Sequence, residues 1–235
     1  MRDFPVFTTE NGAASLVLRE IPYRGVAYIT MQNTQSPEQL LAECVDFCKV
    51  AGAEKVYATG HMCLERYPVY TNVVKMQRPR EGLSESDAAL FPVTEKTIEQ
   101  WRSYYNDRMK DVPNASTMTR EDGKQLLEKG GGYFVHKDGE LLGIGIARGD
   151  KIETIASVKP GAGETVLLAL CSAIYSENII LEVSSHNERA IRLYERLGFL
   201  KTNLLRTWYD VSKQFLGDKK KYLTKGLLCC IITQV

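Results

Sequence analysis

The order of apolar segments between residues 132 and 211 constrains the fold of this chain more than any other feature. Two apolar runs, 132–136 and 140–147, are joined by Lys137-Asp138-Gly139, and Asp-Gly supplies the positive φ angles that a tight hairpin needs. The pattern continues as strand, helix, strand, helix and strand at residues 151–158, 164–175, 178–184, 187–197 and 199–211. Hairpins followed by strand-helix-strand units predict an α/β fold, a mixed sheet covered by helices.

Upstream of this region the sequence predicts a smaller α/β unit. Its predicted elements are two paired strands, a helix and two further strands, at residues 14–20, 25–31, 37–51, 55–59 and 69–76. Residues 77–87 then hold Pro79, Gly82, two serines and five charges without periodicity. We therefore predict two domains, at residues 1–80 and 88–235, the second opening with helices at 94–112 and from Thr119 to before Gly130.

The two predicted domains share a faint similarity. The helix at 37–51, the strand at 55–59 and His61 resemble the helix at 164–175, the strand at 178–184 and His186. The first copy has no glycine turn before its helix. Two interpretations stay open: a duplication whose first copy lost its site, and the chance similarity of two apolar helix-strand units.

The composition argues against several classes of function for this chain. Thirty Lys and Arg against twenty-nine Asp and Glu give a net charge of +1, which provides no basic field for nucleic acid or an anionic membrane. The longest apolar run, residues 226–233, is too short to cross a bilayer, and the first residues lack the apolar segment of a signal peptide. We predict a cytoplasmic protein.

Cysteine and histidine usage predicts neither a disulfide framework nor a metal. The three histidines are scattered, and the six cysteines have no secreted-domain or metal-ligand spacing; the cysteines are Cys44, Cys48, Cys63, Cys171, Cys229 and Cys230.

The most informative segment is residues 181–199, LEVSSHNERAIRLYERLGF. Asn187 and Tyr194 are seven residues apart and so share one helix face, with the small Ala190 between them. Ser185 and Glu188 form a candidate capping box, and Gly198 stands where a helix ends most readily. Such a face could line one wall of a narrow cleft.

This segment closely resembles the GNAT superfamily of N-acetyltransferases, in which a strand is followed by Asn, Ala, Tyr and Gly-Phe at this spacing. The order of elements in residues 88–211 resembles that fold as well. The resemblance implies acetyl-CoA as cosubstrate, with its pyrophosphate on a glycine turn at the start of a helix. The cofactor-binding residues that it implies are Ser157, Val158, Gly161, Ala162, Gly163, Glu164, Thr165, Asn187 and Ala190.

This sequence departs from the family at the glycine turn. Val158 replaces the usual Arg or Gln three residues before the first glycine, and the turn is several residues shorter. Backbone donors need no particular side chain, so pyrophosphate binding stays a prediction. Taken alone, Gly-Ala-Gly is also compatible with an ordinary tight turn.

The resemblance also implies catalytic roles. Tyr194 is predicted to be the general acid, and a phenol with a pKa of ~10 facing a thiolate with a pKa of ~8.5 would contribute about 10²-fold. Glu153 is the first candidate for the general base and Glu182 the second; each is also compatible with a solvated strand residue. Backbone groups around residues 156–158 are expected to pair with the pantetheine arm of CoA.

The predicted function is transfer of an acetyl group from acetyl-CoA to the amine of a small molecule, amino acid, peptide or protein. The alternative is a degenerate module of the same fold that binds CoA or an effector without turnover. The unit at 1–80 is a candidate adaptor or lid, and the acceptor groove is expected near residues 100–114 and the last strand. A homodimer is compatible with the sequence.

Overall fold

The structure, a computed structural model, describes residues 6–213. Cys229, Cys230 and the apolar run at 226–233 lie outside this range. The described chain divides into two compact units. We call residues 73–205 the central unit and residues 6–72 with 206–213 the terminal unit. The divisions fall at Asn72/Val73 and Leu205/Arg206, rather than in the predicted boundary between residues 80 and 88.

The described residues form eleven strands, six α-helices and one 3-10 helix at Met62–Arg66. The strands are β1 Val6–Thr9, β2 Gly12–Val17, β3 Val26–Thr34, β4 Lys55–Thr59, β5 Val69–Pro79, β6 Ala89–Pro92, β7 Gly132–Lys137, β8 Glu140–Arg148, β9 Lys151–Ser157, β10 Asn178–Ser184 and β11 Leu200–Asp210. The helices are α1 Ile21–Arg24, α2 Pro37–Val50, α3 Ile98–Met109, α4 Arg120–Lys129, α5 Gly163–Ser172 and α6 Glu188–Arg196.

In the central unit the strand order is β5-β10-β9-β8-β7-β6. The strands β7, β8 and β9 form an antiparallel meander, and the first turn of this meander has φ of 53° at Asp138 and 80° at Gly139, as the hairpin signal requires. The strands β9 and β10 are parallel and are connected through α5, and β5 closes the other side of β10 in antiparallel register. The predicted mixed α/β sheet is confirmed.

Each face of the central sheet carries its own helices. On one face, α5 and α6 bury Val166, Leu167, Ile191 and Tyr194 against β9 and β10. On the opposite face, α3 and α4 pack on β7 and β8, with Trp101 fully buried and its indole N-H donating to Tyr133 O at 2.9 Å. We refer to these as the α5/α6 face and the α3/α4 face.

Helix α3 is shorter than the predicted helix at 94–112. Thr94 lies outside it, because its backbone N-H donates to Thr97 Oγ1 at 3.0 Å in a turn, and Thr97 is the N-cap. The start of α4 agrees with the prediction: Thr119 and Asp122 form a reciprocal capping box.

The terminal unit has the strand order β1-β2-β3-β4-β11 and one large helix, α2, whose apolar face fills the core. Its connectivity repeats that of the central unit. A meander of three strands leads through a helix to a parallel fourth strand, which pairs antiparallel with a fifth. The repeat supports the interpretation of the internal similarity as a duplication.

The fifth strand of each unit comes from elsewhere in the chain. Strand β5 follows β4, yet its residues 73–79 pair with β10; β11 follows β10, yet Tyr209 and Asp210 pair with β4. Each unit is therefore completed by the strand that follows the other unit's fourth strand.

Candidate active site

The candidate site lies in the central unit, where β9 and β10 diverge. The two strands pair only through Lys151 with Ile180 and Ile152 with Leu181. Farther along, β9 remains paired with β8 as far as Ser157, and β10 remains paired with β5 as far as Ser184. Within the described chain, the facing backbone edges of β9 and β10 beyond these two pairs are not joined by a ladder.

A β-bulge marks the point of divergence. Thr154 is opposite Ile146 and Ile152 is opposite Ala147, so Glu153 is an extra residue without a partner in β8. The bulge changes the alternation of the strand: Ile152 and Ile155, three residues apart, both pack on the α5/α6 face, whereas Ala156 packs on the α3/α4 face. This bulge was not predictable from the sequence, because its register is set by the pairing with β8.

The open edge of β9 presents the backbone groups of Ile155 and Ser157. Val158 N donates to Leu142 O at 2.9 Å, and a Cβ added at Gly143 or Gly145 would meet the carbonyl oxygens of Ala156 or Thr154. Even-numbered residues of this stretch thus direct their backbone groups towards β8. Since successive residues of a strand direct theirs to opposite sides, those of Ile155 and Ser157 point to the gap.

The glycine turn occupies residues 158–162, and Gly161 has φ of 83°. Most of its amides already have acceptors: Val158 N and Lys159 N both donate to Leu142 O, at 2.9 and 3.2 Å, and Ala162 N donates to Lys159 O at 3.3 Å. The carbonyl of Val158 accepts from Arg108 Nη2 on α3 at 3.0 Å. The N-H and the carbonyl oxygen of Val158 therefore both have hydrogen-bond partners within the chain.

Helix α5 begins at Gly163 with Ala162 as its N-cap. Val166 N donates to Ala162 O at 2.9 Å, so the amides of Gly163, Glu164 and Thr165 belong to the first turn, which has no intrahelical acceptors. These are the donors that the sequence assigned to a phosphate.

Helix α6 begins two residues later than a capping box at Ser185 and Glu188 would require. The predicted box is wrong: Asn187 is the N-cap, and its Oδ1 accepts from Ala190 N at 3.2 Å. The chain turns earlier, with Asn187 N donating to Ser184 O at 2.9 Å, and this turn places Ser185 before the helix. Gly198, with φ of 82°, ends the helix as predicted.

Tyr194 lies on the inward face of α6 and is 8% exposed. Its ring packs on Phe199 with centroids 6.1 Å apart. Among residues 6–213 we find no hydrogen-bond partner for its hydroxyl. Burial raises the pKa of Tyr194 to about 12, so the phenol holds its proton at any physiological pH.

The glycine turn and α6 face each other on the same side of the sheet. Leu193 Cδ2 lies 3.1 Å from the position that a Cβ on Gly163 would take. Arg196 Nη2 and Glu164 Oε2 form an ion pair at 3.0 Å between the two helices. The first turn of α5 is thus in direct contact with α6 at the outer end of the gap.

The two candidate bases lie on the opposite face. Glu153 pairs with Arg148 at 3.6 Å on the α3/α4 face, and Glu182 pairs with Lys151 on the same face. Both carboxylates are about two-fifths exposed, at 40% and 41%. The structure therefore places Glu153 and Glu182 on neighbouring strands, each one residue past the last β9-β10 pair, and places Tyr194 on the other face of the sheet.

The segment between α3 and α4 borders the α3/α4 side. Asn106 holds it from both sides, since its Oδ1 accepts from Met118 N at 2.8 Å and its Nδ2 donates to Met118 O at 3.1 Å. Within it, Asn114 has a left-handed φ of 61°, and both polar atoms of its side chain are buried without a hydrogen-bond partner in the described chain. Buried amides are as a rule hydrogen-bonded, so this side chain has unused donor and acceptor capacity among the described residues.

Within residues 6–213, no cluster of three or more His, Cys, Asp or Glu side chains could hold a metal ion. In the same range, no helix has the length and apolar character needed to cross a membrane.

Comparison with known proteins gives structural matches only. Neither a protein-family model nor a curated protein matches the sequence. A conserved protein of unknown function from Staphylococcus epidermidis is similar over 89% of this chain and 93% of its own, with a TM-score of 0.58 and 10% identity. A GCN5-related N-acetyltransferase from Anabaena variabilis is similar over 84% of this chain and 59% of its own, with a TM-score of 0.58 and 11% identity.

A GNAT-family acetyltransferase from Colwellia psychrerythraea is similar over 85% of this chain and 81% of its own, with a TM-score of 0.50 and 15% identity. At such identities the similarity concerns the fold. Together with the diverging strands and the two helices beside them, it confirms the predicted resemblance at that level: the chain has the fold of the GNAT N-acetyltransferases.

Proposed function

We propose that the central unit transfers an acetyl group from acetyl-CoA to an amine. The divergence of β9 and β10, with the starts of α5 and α6 on one side of the gap, carries this proposal. A gap between parallel strands provides facing polar backbone edges that a linear, amide-containing thioester can enter as an added strand.

The donor arm is expected along β9. The backbone groups of Ile155 and Ser157 point to the gap, whereas those of Ala156 and Val158 are directed away from it. Of residues 156–158, where pairing with the arm was expected, only Ser157 directs its backbone groups to the gap. Ile155, just before this range, does so as well. Pantetheine contains two amides, and its amides can exchange hydrogen bonds with such an edge without specific side chains.

Tyr194 is the proposed acid. Full proton transfer from a phenol of pKa about 12 to a thiolate of pKa about 8.5 is uphill by roughly 5 kcal/mol, so the proton moves only as the C-S bond breaks. The hydroxyl acts mainly as a hydrogen-bond donor to the developing thiolate. Its proposed contribution is about 10²-fold.

Glu153 is the proposed base, with Glu182 as its alternate. The amine approaches from the α3/α4 face, loses its ammonium proton to a carboxylate or to water, and attacks the thioester carbonyl. The tetrahedral intermediate then breaks its C-S bond to give the amide and the thiol. The thiol takes its proton from Tyr194, and the second proton lost by the nitrogen returns the phenol to its neutral form. An acid and a base on opposite faces of the sheet are compatible with this mechanism, because the attacking nitrogen and the departing sulfur are different substituents of the tetrahedral carbon.

Asn114 is the proposed acceptor contact. Its buried, unpartnered amide lies in the segment between α3 and α4, and α3 reaches the end of β9 through Arg108 and Val158. A polar acceptor that supplied the missing hydrogen bonds would be favoured over an apolar one. Small amines, amino acids and peptides all remain candidate acceptors.

Thiol release from acetyl-CoA with a panel of amines tests the proposal. We expect release that depends on both substrates and that falls about 10²-fold in Tyr194→Phe, with the thermal midpoint unchanged. Tyr133→Phe is the matched control, since that tyrosine lies on β7 away from the gap. Equal thiol release by Tyr194→Phe and wild type would refute the role of Tyr194 as general acid.

The second candidate is a module that binds CoA without turnover. The short turn and the Glu164-Arg196 pair favour it, because they restrict the place expected for pyrophosphate. Saturable binding of CoA without thiol release from any amine of the panel would select this candidate.

A further inference from the structure

The glycine turn offers few donors to a phosphate. Its five residues, 158–162, direct three amides to Leu142 and Lys159 within the chain. The side chain of Lys159 is committed as well, in an ion pair with Glu140. What remains is the amide of Gly161 and the first turn of α5.

The first turn of α5 already contains a negatively charged side chain. Glu164 occupies its second position, where a carboxylate interacts favourably with the positive end of the helix dipole. The same carboxylate forms the 3.0 Å ion pair with Arg196, and Leu193 lies against Gly163. A pyrophosphate bound here would have to approach a carboxylate and displace this contact between helices.

The inner part of the gap has no such obstacle. The bulge at Glu153 and the loss of pairing after Ile152 and Leu181 leave the edge at Ile155 and Ser157 for an amide-containing arm. The polar groups that could bind a donor are therefore concentrated at the arm and scarce at the nucleotide end.

We propose that this site recognises its thioester donor through the pantetheine arm and gains little from the pyrophosphate. The donor class is then pantetheine thioesters in general, with acetyl-CoA as one member. This inference rests on the proposed function. The reaction is the same for every member: the amine nitrogen forms a C-N bond, the C-S bond breaks, and the sulfur keeps the electron pair. The ammonium loses two protons in all, of which one ends on the sulfur and the other passes to buffer.

A series of donors tests the inference. Acetyl-CoA, S-acetyl-4'-phosphopantetheine and S-acetylpantetheine are compared by kcat/KM with one amine, and Kd is measured by calorimetry for the corresponding thiols. We expect the values to agree within about tenfold across the series. Two charge-assisted hydrogen bonds to pyrophosphate would instead make removal of the nucleotide cost about 100-fold or more. Any loss beyond about tenfold overturns the inference.

The binding measurements separate this inference from the proposed function. If no donor releases thiol but the three Kd values agree, the proposed function fails and arm recognition stands. If CoA turns over and pantetheine neither binds nor reacts, the function stands and the inference fails. Absence of binding by every thiol contradicts both.

Glu164→Gln supplies a second test in the full chain. Removing this carboxylate should raise the preference for acetyl-CoA over S-acetylpantetheine about threefold to tenfold, because one repulsion near the pyrophosphate is lost. Glu188→Gln is the control: Glu188, whose side chain is 74% exposed, forms an ion pair with Arg192 on the outer side of α6, and its loss should leave the ratio unchanged. Equal ratios in both variants would contradict the position assigned to the nucleotide end.

Discussion

Substitution of Gly145 tests how closely α5 must lie on the sheet for the site to form. Gly145 is in the middle of β8, beneath α5. A Cβ added there would be 2.3 Å from Leu170 Cδ1 and 2.7 Å from the backbone oxygen of Thr154. Normal contacts between carbon atoms are about 3.5–4.0 Å, so either α5 or β9 must move in Gly145→Ala.

The expected cost follows from these two contacts. Leu170 can change its rotamer only within a filled core, and the Thr154 oxygen belongs to the strand backbone. Overpacking of this kind costs about 1–3 kcal/mol, and alanine recovers roughly 0.5–1 kcal/mol of the backbone entropy lost at a strand glycine. We expect a net loss of about 1 kcal/mol, which corresponds to a fall of about 2–4 °C in the thermal midpoint.

The loss of stability in Gly145→Ala can be measured by calorimetric melting of single and double variants. Addition of Leu170→Ala should relieve part of the overlap, with a coupling free energy of about 1 kcal/mol in the double-mutant cycle. Gly123→Ala in α4 is the control, because an added Cβ there meets side-chain atoms alone, Ile98 at 3.2 Å and Arg102 at 3.8 Å, and helix propensity favours alanine. A midpoint for Gly145→Ala within about 1 °C of wild type would refute the close packing of α5.

Three further predictions concern other parts of the chain. A fragment of residues 88–205 lacks the part of β5 that pairs with all of β10, so it should not melt cooperatively, whereas 73–205 should; equal cooperativity would show that β5 is dispensable. Burial raises the pKa of Cys48 and of Cys171 to about 12 and also raises that of Cys44, so among the four described cysteines iodoacetamide at pH 8 should alkylate the half-buried Cys63 first in peptide mass spectrometry, and equal labelling of Cys48 would contradict its burial. Because the pKa of Tyr194 is about 12 when folded and about 10 when unfolded, its contribution is complete below pH 10 and is lost as the pH rises to 12; Tyr194→Phe should therefore lose about 2–3 kcal/mol less stability than wild type over that interval in denaturant titrations.

Local sequence signals predicted the elements whose geometry is local. Asp138 and Gly139 adopt the two positive φ angles that the dipeptide favours. Helix α6 was predictable because Glu188, Arg192 and Glu195 fall on its exposed side while Ile191 and Tyr194 fall on its buried side. The position of the turn between β9 and α5 followed from the strand-turn-helix order.

Features that depend on partners distant in the chain were not predictable. Gln77 and Arg78 lie in a polar stretch interpreted as a domain boundary, yet they are in β5 and pair with Ile180 and Ile179. These residues form a strand because they pair with β10, and this pairing with a distant segment leaves no pattern in the local sequence. The bulge at Glu153 has the same origin, since its register is set against β8.

The two repeats also differ in a way that sequence could not reveal. In the terminal unit β3 and β4 remain paired over five residues, from Val26 with Lys55 to Thr30 with Thr59. In the central unit the corresponding pairing ends after two residues. Continuous pairing leaves no open edge, and a gap of this kind is therefore a property of the central unit among the described residues.

A crystal structure with acetyl-CoA bound would test the proposed function most directly. We predict that the pantetheine arm lies between β9 and β10, hydrogen-bonded to the backbone of Ile155 and Ser157, with the thioester sulfur about 3.5 Å from the Tyr194 hydroxyl. A donor bound elsewhere on the chain, or a gap that stays closed by side chains while the ligand is present, would contradict it.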